Sequence, residues 1–200
     1  MRSNYPFLQC LLLCVVMASE EETEHNFYSF TVKDIDGRDV NLEKYRGTIS
    51  LVVNVASECG YTDTHYKALV KLHNELSPTG KFQVLAFPCN QFGAQEPHGN
   101  EDILKFAQKH YAVNFPVFSK IDVVGNHADI AFASLIDQSG KPPNWNFWKY
   151  LVNTDGKVIG AWGPQQSVES IADIVRQEVA VASNTILEPG TDEKVIHPEL

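Results

Sequence analysis

The sequence predicts an α/β sandwich whose central sheet is mixed and flanked by helices. The turn dipeptides Asp36-Gly37 and Asp155-Gly156 each separate two apolar runs, which predicts antiparallel hairpins. Elsewhere, β-branched runs alternate with helical periodicity, which predicts parallel strands joined by crossover helices. At 200 residues, with 44% hydrophobic and 20% charged residues, the chain suits one domain with a sizeable core.

The first half of the chain contains the strongest strand signal. Its predicted elements are a hairpin, a buried strand, a helix and a second buried strand: 28–34 with 38–42, 49–55, about 62–77, and 82–88. The run 49–55 is apolar and β-branched, as in a strand buried on both faces. Thr62 and Asp63 are candidate N-caps of the helix that follows.

The second half continues the alternation. A helix is predicted from Asn100, followed by a strand-like segment at 115–123 and a helix at 127–138. A hairpin of 147–153 with 158–162 comes next, and Ser167 caps the last helix. Neither a repeat nor an internal linker indicates a second domain.

A single cysteine, Cys59, lies where the buried strand stops and the next helix begins. The unpaired N–H groups and the dipole at a helix N-terminus favour a thiolate over a thiol, and the thiolate is the nucleophile. The junction therefore predicts a reactive thiol. A buried structural cysteine and one half of a stable disulfide are the alternatives that this junction alone leaves open.

Charge and motifs exclude several classes of function. The formal charge of -9 and the absence of a Lys/Arg cluster argue against nucleic acid and anionic membranes as partners. The sequence contains neither a P-loop nor a GxGxxG or HExxH pattern, and its 7 histidines show no metal-ligand spacing. We therefore expect no metal site.

The two ends of the chain lie outside the predicted domain, which covers 19–182. Residues 1–18 resemble a cleaved secretory signal, with a short apolar stretch and small residues before the cut. A membrane anchor is the alternative, but the stretch is shorter than the roughly 20 residues that cross a bilayer, so we expect no stable membrane span. Cleavage would leave Cys59 and Cys89 of the 4 cysteines. Residues 183–200 are predicted to form an extended tail.

Three segments of the chain resemble the glutathione peroxidase family in its cysteine form. They occur in the family's order and cover its active-site signature and two further blocks: 54–62, 85–97 and 145–151. The resemblance extends over about 27–179 and implies a thioredoxin-like fold. It also implies a catalytic tetrad, formed by Cys59, Gln91, Trp145 and Asn146.

The chemistry that the resemblance implies is peroxide reduction without a bound cofactor. The Cys59 thiolate would attack the O–O bond and become a sulfenic acid, while neutral N–H donors stabilise it. The three donors that the resemblance implies, Gln91, Trp145 and Asn146, have no titratable acid. A proton relayed through water, or the thiol's own proton, must therefore reach the leaving oxygen.

Two departures from the family pattern affect the mechanism and the assembly. The helix position that carries the resolving cysteine in two-cysteine members reads Phe106-Ala107-Gln108-Lys109 here. Cys89 is then the only internal candidate, sharing a strand face with Gln91, which is expected against Cys59. A packed thiol is the alternative for Cys89. The segment between Val124 and Trp145 is short where tetrameric members of the family carry a long extra loop, so the resemblance implies a monomer.

Two functions remain after these observations. The first is a thiol peroxidase that takes electrons from glutathione, a protein disulfide isomerase or a thioredoxin-like protein. The second is a non-catalytic thioredoxin-like module for redox sensing or binding. The signal-like pattern at 1–18 predicts the secretory pathway. The chain ends with His197-Pro198-Glu199-Leu200, which resembles a degraded retrieval signal, so we expect the endoplasmic reticulum lumen or secretion.

Overall fold

The computed structural model describes residues 26–184. Its strands are β1 to β6 in chain order: Thr31–Lys33, Asp39–Asn41, Ile49–Val55, Phe82–Pro88, Lys149–Val152 and Val158–Trp162. Its α-helices are α1 to α4: Thr62–Leu76, Asn100–Tyr111, Ile130–Ser139 and Val168–Asn184.

The central sheet has four strands in the order β4-β3-β5-β6. Strands β3 and β4 run parallel, whereas β5 is antiparallel to both β3 and β6. Strands β1 and β2 form a separate antiparallel pair. The predicted α/β sandwich with a mixed sheet is therefore confirmed.

Helices cover both faces of the sheet. All seven residues of β3 are buried, and its five apolar residues are divided between two apolar clusters. Leu51 and Val53 pack with α1 and α4 on what we call the α1/α4 side, whereas Val52 packs with α3 on the α3 side. A strand sends successive side chains to opposite faces, so a strand buried on both faces contributes apolar side chains to both layers of the core.

Of the predicted strands, two differ most from the structure. The first hairpin strand begins only at Thr31, because Phe27–Ser29 forms a 3-10 turn capped by the Asn26 side chain. Segment 115–123 makes only isolated bridges, from Val117 to Ala86 and from Phe118 to Asp34. Pro116 has no N–H to donate, so a regular ladder cannot continue through it.

Helix ends also differ slightly from the prediction. The helix predicted at 127–138 begins at Ile130, because the Asp129 side chain accepts a hydrogen bond from the Ala131 amide at 2.9 Å and caps it. Ser167 caps the last helix as predicted, accepting from the Ser170 amide at 3.2 Å.

The predicted ends of the chain are tested only in part. Helix α4 runs to Asn184, two residues into the predicted tail. The predicted signal at 1–18 and the rest of the tail lie outside the described residues. Within residues 26–184, none of the helices is both long and apolar enough to cross a bilayer.

Candidate active site

Cys59 lies in the turn between β3 and α1 and is 7% exposed. Its amide donates to the Thr62 hydroxyl at 3.1 Å, and that hydroxyl donates to the carbonyl of Ala56 at 2.7 Å. The predicted N-cap role of Thr62 and Asp63 is wrong, since Tyr61 occupies the N-cap position without a side-chain bond. The Thr62 hydroxyl instead ties the turn that carries Cys59 to the end of β3.

Gln95 lies beside this turn and contacts the predicted site residues. Its backbone carbonyl accepts from the amide of Glu58, the neighbour of Cys59, at 3.0 Å. Its side-chain Oε1 accepts from Asn146 Nδ2 at 3.0 Å. A Cβ built on Gly93 would lie 3.4 Å from both the Gln95 side chain and the Trp145 ring. Gln95 is therefore packed between the Cys59 turn and the Trp145-Asn146 segment.

Trp145 and Asn146 reach the site from the loop before β5. Asn146 is wholly buried, and its Nδ2 also donates to the carbonyl of Phe92 at 3.2 Å. Trp145 is 37% exposed and its ring lies 6.4 Å from that of Phe92. Within the described chain, neither Trp145 Nε1 nor Gln95 Nε2 donates to a protein acceptor. Both N–H groups are thus available to a sulfur or a peroxide oxygen.

The side-chain amide of Gln91 makes its hydrogen bonds to the backbone of Val123 and Val124. Its Nε2 donates to the carbonyl of Val124 at 2.8 Å, and its Oε1 accepts from the amides of Val123 and Val124 at 2.7 and 3.0 Å. The structure therefore does not direct this side chain to Cys59, contrary to the expectation. Gln91 instead fixes the loop that precedes α3.

Cys89 also departs from the prediction. Its side chain is wholly buried on the α3 side, whereas Cys59 packs on the α1/α4 side, and both thiols are free. Cys89 and Gln91 do share a face, with Cys89 Sγ 3.6 Å from Gln91 Oε1, but it is not the face of Cys59. Burial raises the pKa of the Cys89 thiol, which disfavours the reactive thiolate.

Glu96, which the sequence reasoning missed, is a buried carboxyl next to Gln95. Neither of its carboxyl oxygens reaches hydrogen-bond geometry with a partner in the described chain. Burial raises its pKa to about 7, while the nearby Ser57 and Lys120 act in the opposite direction. With a pKa of about 7, this carboxyl is about half protonated at neutral pH, whereas an exposed carboxyl would be almost fully ionised. Among residues 26–184, no cluster of three or more His, Cys, Asp or Glu side chains is placed to hold a metal ion.

Comparison with known proteins identifies the family. The family profile described as "Glutathione peroxidase" matches residues 27–136. This chain belongs to that family. Glutathione peroxidase 7 of Bos taurus is 58% identical over 159 residues, which cover 80% of this chain and 85% of the relative. The probable glutathione peroxidase 8 of Homo sapiens is 51% identical over 159 residues, covering 78% and 76%.

A solved glutathione peroxidase structure confirms the fold. The crystal structure of Trgpx in apo form superposes with a TM-score of 0.65 at 33% identity, covering 78% of this chain and 97% of that one. The fold is therefore thioredoxin-like, as predicted. Family membership makes this glutathione peroxidase homologue a thiol peroxidase, with a peroxide substrate and a thiol reductant.

The second glutamine of the block 85–97 was the missed signal in the sequence. Gln91 and Gln95 both lie in that block, four residues apart, and either could have been the site amide. Gly93 and Ala94 between them have φ of +67° and +51°. Two consecutive left-handed residues turn the chain sharply, so the two glutamines point into different parts of the molecule.

Proposed function

We propose that the protein reduces hydrogen peroxide or organic hydroperoxides at Cys59, with Gln95 Nε2 and Trp145 Nε1 as the N–H donors. The observation that supports this assignment best is the 3.0 Å hydrogen bond from Asn146 Nδ2 to Gln95 Oε1. That bond occupies the acceptor end of the Gln95 amide and leaves its donor end available. Asn146 thereby orients the amide beside Cys59.

The reaction then follows from the chemistry of a thiolate. Cys59 Sγ attacks one peroxide oxygen, the O–O bond breaks, and the products are a Cys59 sulfenic acid and an alkoxide or hydroxide that takes up a proton. Preorganised N–H donors lower the barrier because they stabilise the charged sulfur and the oxygen on which charge develops. Two thiols of the reductant return Cys59 to its reduced form and release water and a disulfide.

The electrons come from outside the chain in this proposal. Cys89 is buried on the other side of the sheet from Cys59 and does not serve as the resolving thiol. Glutathione, a protein disulfide isomerase or a thioredoxin-like protein remains as the reductant. The protein acts as a monomer without a bound cofactor.

Peroxide consumption by the purified mature protein tests this function. Turnover with glutathione, thioredoxin and protein disulfide isomerase as alternative reductants identifies the electron donor. We expect Cys59→Ser to abolish turnover and Cys89→Ala to retain it. Peroxide consumption by Cys59→Ser at the wild-type rate would contradict the function itself.

The proposed location is the secretory pathway, either the endoplasmic reticulum lumen or the outside of the cell. The support is the signal-like pattern at 1–18. N-terminal sequencing of native protein is expected to begin near Ser19. A native chain that retains Met17 and the residues before it would favour a membrane anchor.

A further inference from the structure

The backbone of Phe147 is strained and lies next to the active site. Phe147 has φ of +64°, a left-handed value that bulky residues rarely adopt. It directly follows Trp145 and Asn146, so its backbone conformation decides where those two side chains point. Such a conformation persists only where surrounding contacts fix it.

Two buried polar residues, Asn54 and Lys149, supply those contacts. Asn54 of β3 holds the segment from one side: its carbonyl accepts from the Phe147 amide at 2.7 Å, and its Nδ2 donates to the carbonyl of Trp145 at 3.1 Å. Its Oδ1 accepts from the amide of Trp148 at 2.8 Å. The carbonyl of Phe147 itself accepts from Lys149 Nζ at 2.9 Å.

The ammonium of Lys149 has one acceptor for each of its three hydrogens. Besides Phe147 O, it lies 3.0 Å from the carbonyl oxygen of Gly163 and 3.4 Å from His65 Nε2. The Nδ1 atom of His65 lies 3.1 Å from the carbonyl oxygen of Tyr61. A carbonyl can only accept, so that contact puts the imidazole proton on Nδ1 and leaves Nε2 as the third acceptor.

Burial of this ammonium opposes folding unless its contacts compensate. Lys149 is wholly buried, and its three acceptors are two carbonyls and an imidazole, none of them an anion. An apolar side chain of similar length would fill the same space without that desolvation cost. What the ammonium adds is a link between Phe147 and His65, which belongs to the first turn of α1, just after Cys59.

We propose that Lys149 is a positioning residue of the peroxidase site, which acts through the Phe147 carbonyl to hold Trp145 and Asn146 in place beside Cys59. The proposal rests on the function proposed above. It assigns to Lys149 an effect on the oxidation of Cys59 and none on the later reduction, because the reductant attacks an already oxidised sulfur.

Lys149→Met is the direct test, since methionine keeps most of the length and removes the donors. Tyr150→Phe is a matched control from the same strand: it removes a 2.6 Å hydrogen bond to the carbonyl of Lys141, away from Phe147. We expect Lys149→Met to slow Cys59 oxidation by hydrogen peroxide about 10- to 100-fold, as misplaced groups do. The reduction of oxidised Cys59 by glutathione should stay within about threefold of wild type in Lys149→Met. In Tyr150→Phe, both the oxidation and the reduction of Cys59 should stay within that range.

A pH profile separates positioning from a general loss of stability. Burial lowers the pKa of Lys149 to about 7, and the ionisable groups acting on this cluster are His65 of α1 and, through it, Glu169 of α4. A neutral amine has two hydrogens for three acceptors. We expect the wild-type oxidation rate, divided by the thiolate fraction from absorbance at 240 nm, to fall as pH rises through about 7. Lys149→Met should lack that fall.

Several outcomes would overturn the proposal. Oxidation of Lys149→Met within threefold of wild type would do so, as would equal slowing in Lys149→Met and Tyr150→Phe. If Lys149→Met does not fold, NMR titration of the wild type decides: the Asn146 side-chain amide signals must shift with the midpoint of Lys149, and an unchanged signal overturns the proposal. If only the proposal for Lys149 is wrong, Cys59→Ser is still inactive. If Cys59→Ser is active, the proposed function itself is wrong.

Discussion

The amide of Cys59 donates a hydrogen bond to the hydroxyl of Thr62 at 3.1 Å. The same hydroxyl donates to the carbonyl of Ala56, the residue that follows β3. One buried oxygen thus satisfies two backbone groups on either side of the turn. The position of the Cys59 thiol therefore depends on the hydroxyl of Thr62.

Thr62→Val tests this dependence, because valine has the same shape and lacks the hydroxyl. An unpaired buried backbone group costs about 1–3 kcal/mol, so we expect a loss of stability of that order. We also expect Cys59 oxidation to slow about tenfold, since the turn is no longer fixed. Urea unfolding and stopped-flow oxidation measure the two effects. Thr64→Val is the control: its hydroxyl makes a similar bond, to Tyr61 O, but is exposed.

Peroxide without reductant should not link the two cysteines. Cys59 and Cys89 pack on opposite sides of the sheet, and disulfide closure requires Cα atoms within about 7 Å. We expect peptide mass mapping of the oxidised wild type to show sulfenic and then sulfinic Cys59 with a reduced Cys89. Cys89→Ala should give the same products at the same rate. A linked Cys59–Cys89 peptide pair would restore Cys89 as a resolving thiol.

The buried carboxyl of Glu96 should make stability depend on pH. Burial raises its pKa from an ordinary value of 4.5 to about 7 in the folded protein, so the folded state binds its proton more tightly than the unfolded state does. This group's contribution is therefore full below about pH 4.5 and is lost as pH rises through about 7. The loss amounts to about 2 to 3 kcal/mol.

Glu96→Gln isolates that contribution, because His65 and Lys149 titrate in both proteins. We expect urea unfolding to show a stability of Glu96→Gln, relative to wild type, that increases from pH 5 to pH 8. Glu101→Gln is the control, since Glu101 is exposed and paired with Lys105 at 2.5 Å, which lowers its pKa. A constant difference between Glu96→Gln and wild type over this pH range would show that the carboxyl is not neutral in the folded protein.

The sheet and the helices were predictable from the sequence because local periodicity reports burial. The apolar run 49–55 and the helical spacing after Thr62 gave β3 and α1 to within a residue or so. Segment 115–123 has strand-like residues but forms no strand, because its pairing depends on Pro116 and on distant partners. Periodicity contains no information about such partners.

The active site was predictable only in part. The block 145–151 predicted Trp145 and Asn146 as site residues, and the structure places them next to Gln95 beside the Cys59 turn. Their catalytic role stays a prediction. A period of two correctly placed Cys89 and Gln91 on one face, but it cannot say which face Cys59 shares. The face on which Cys59 lies depends on how the chain leaves β3. The direction of Gln95 depends on the sharp turn at Gly93 and Ala94, and local periodicity predicts neither feature.

The rate of Cys59 oxidation by hydrogen peroxide in Gln95→Ala and Gln91→Ala tests the proposed site most directly. Both variants remove one amide from the same block, so they match in size and chemistry. We expect Gln95→Ala to be about 10²- to 10³-fold slower than wild type, as for the loss of one preorganised donor, and Gln91→Ala to stay within about threefold. A slow Gln91→Ala with a fast Gln95→Ala would contradict the site described here.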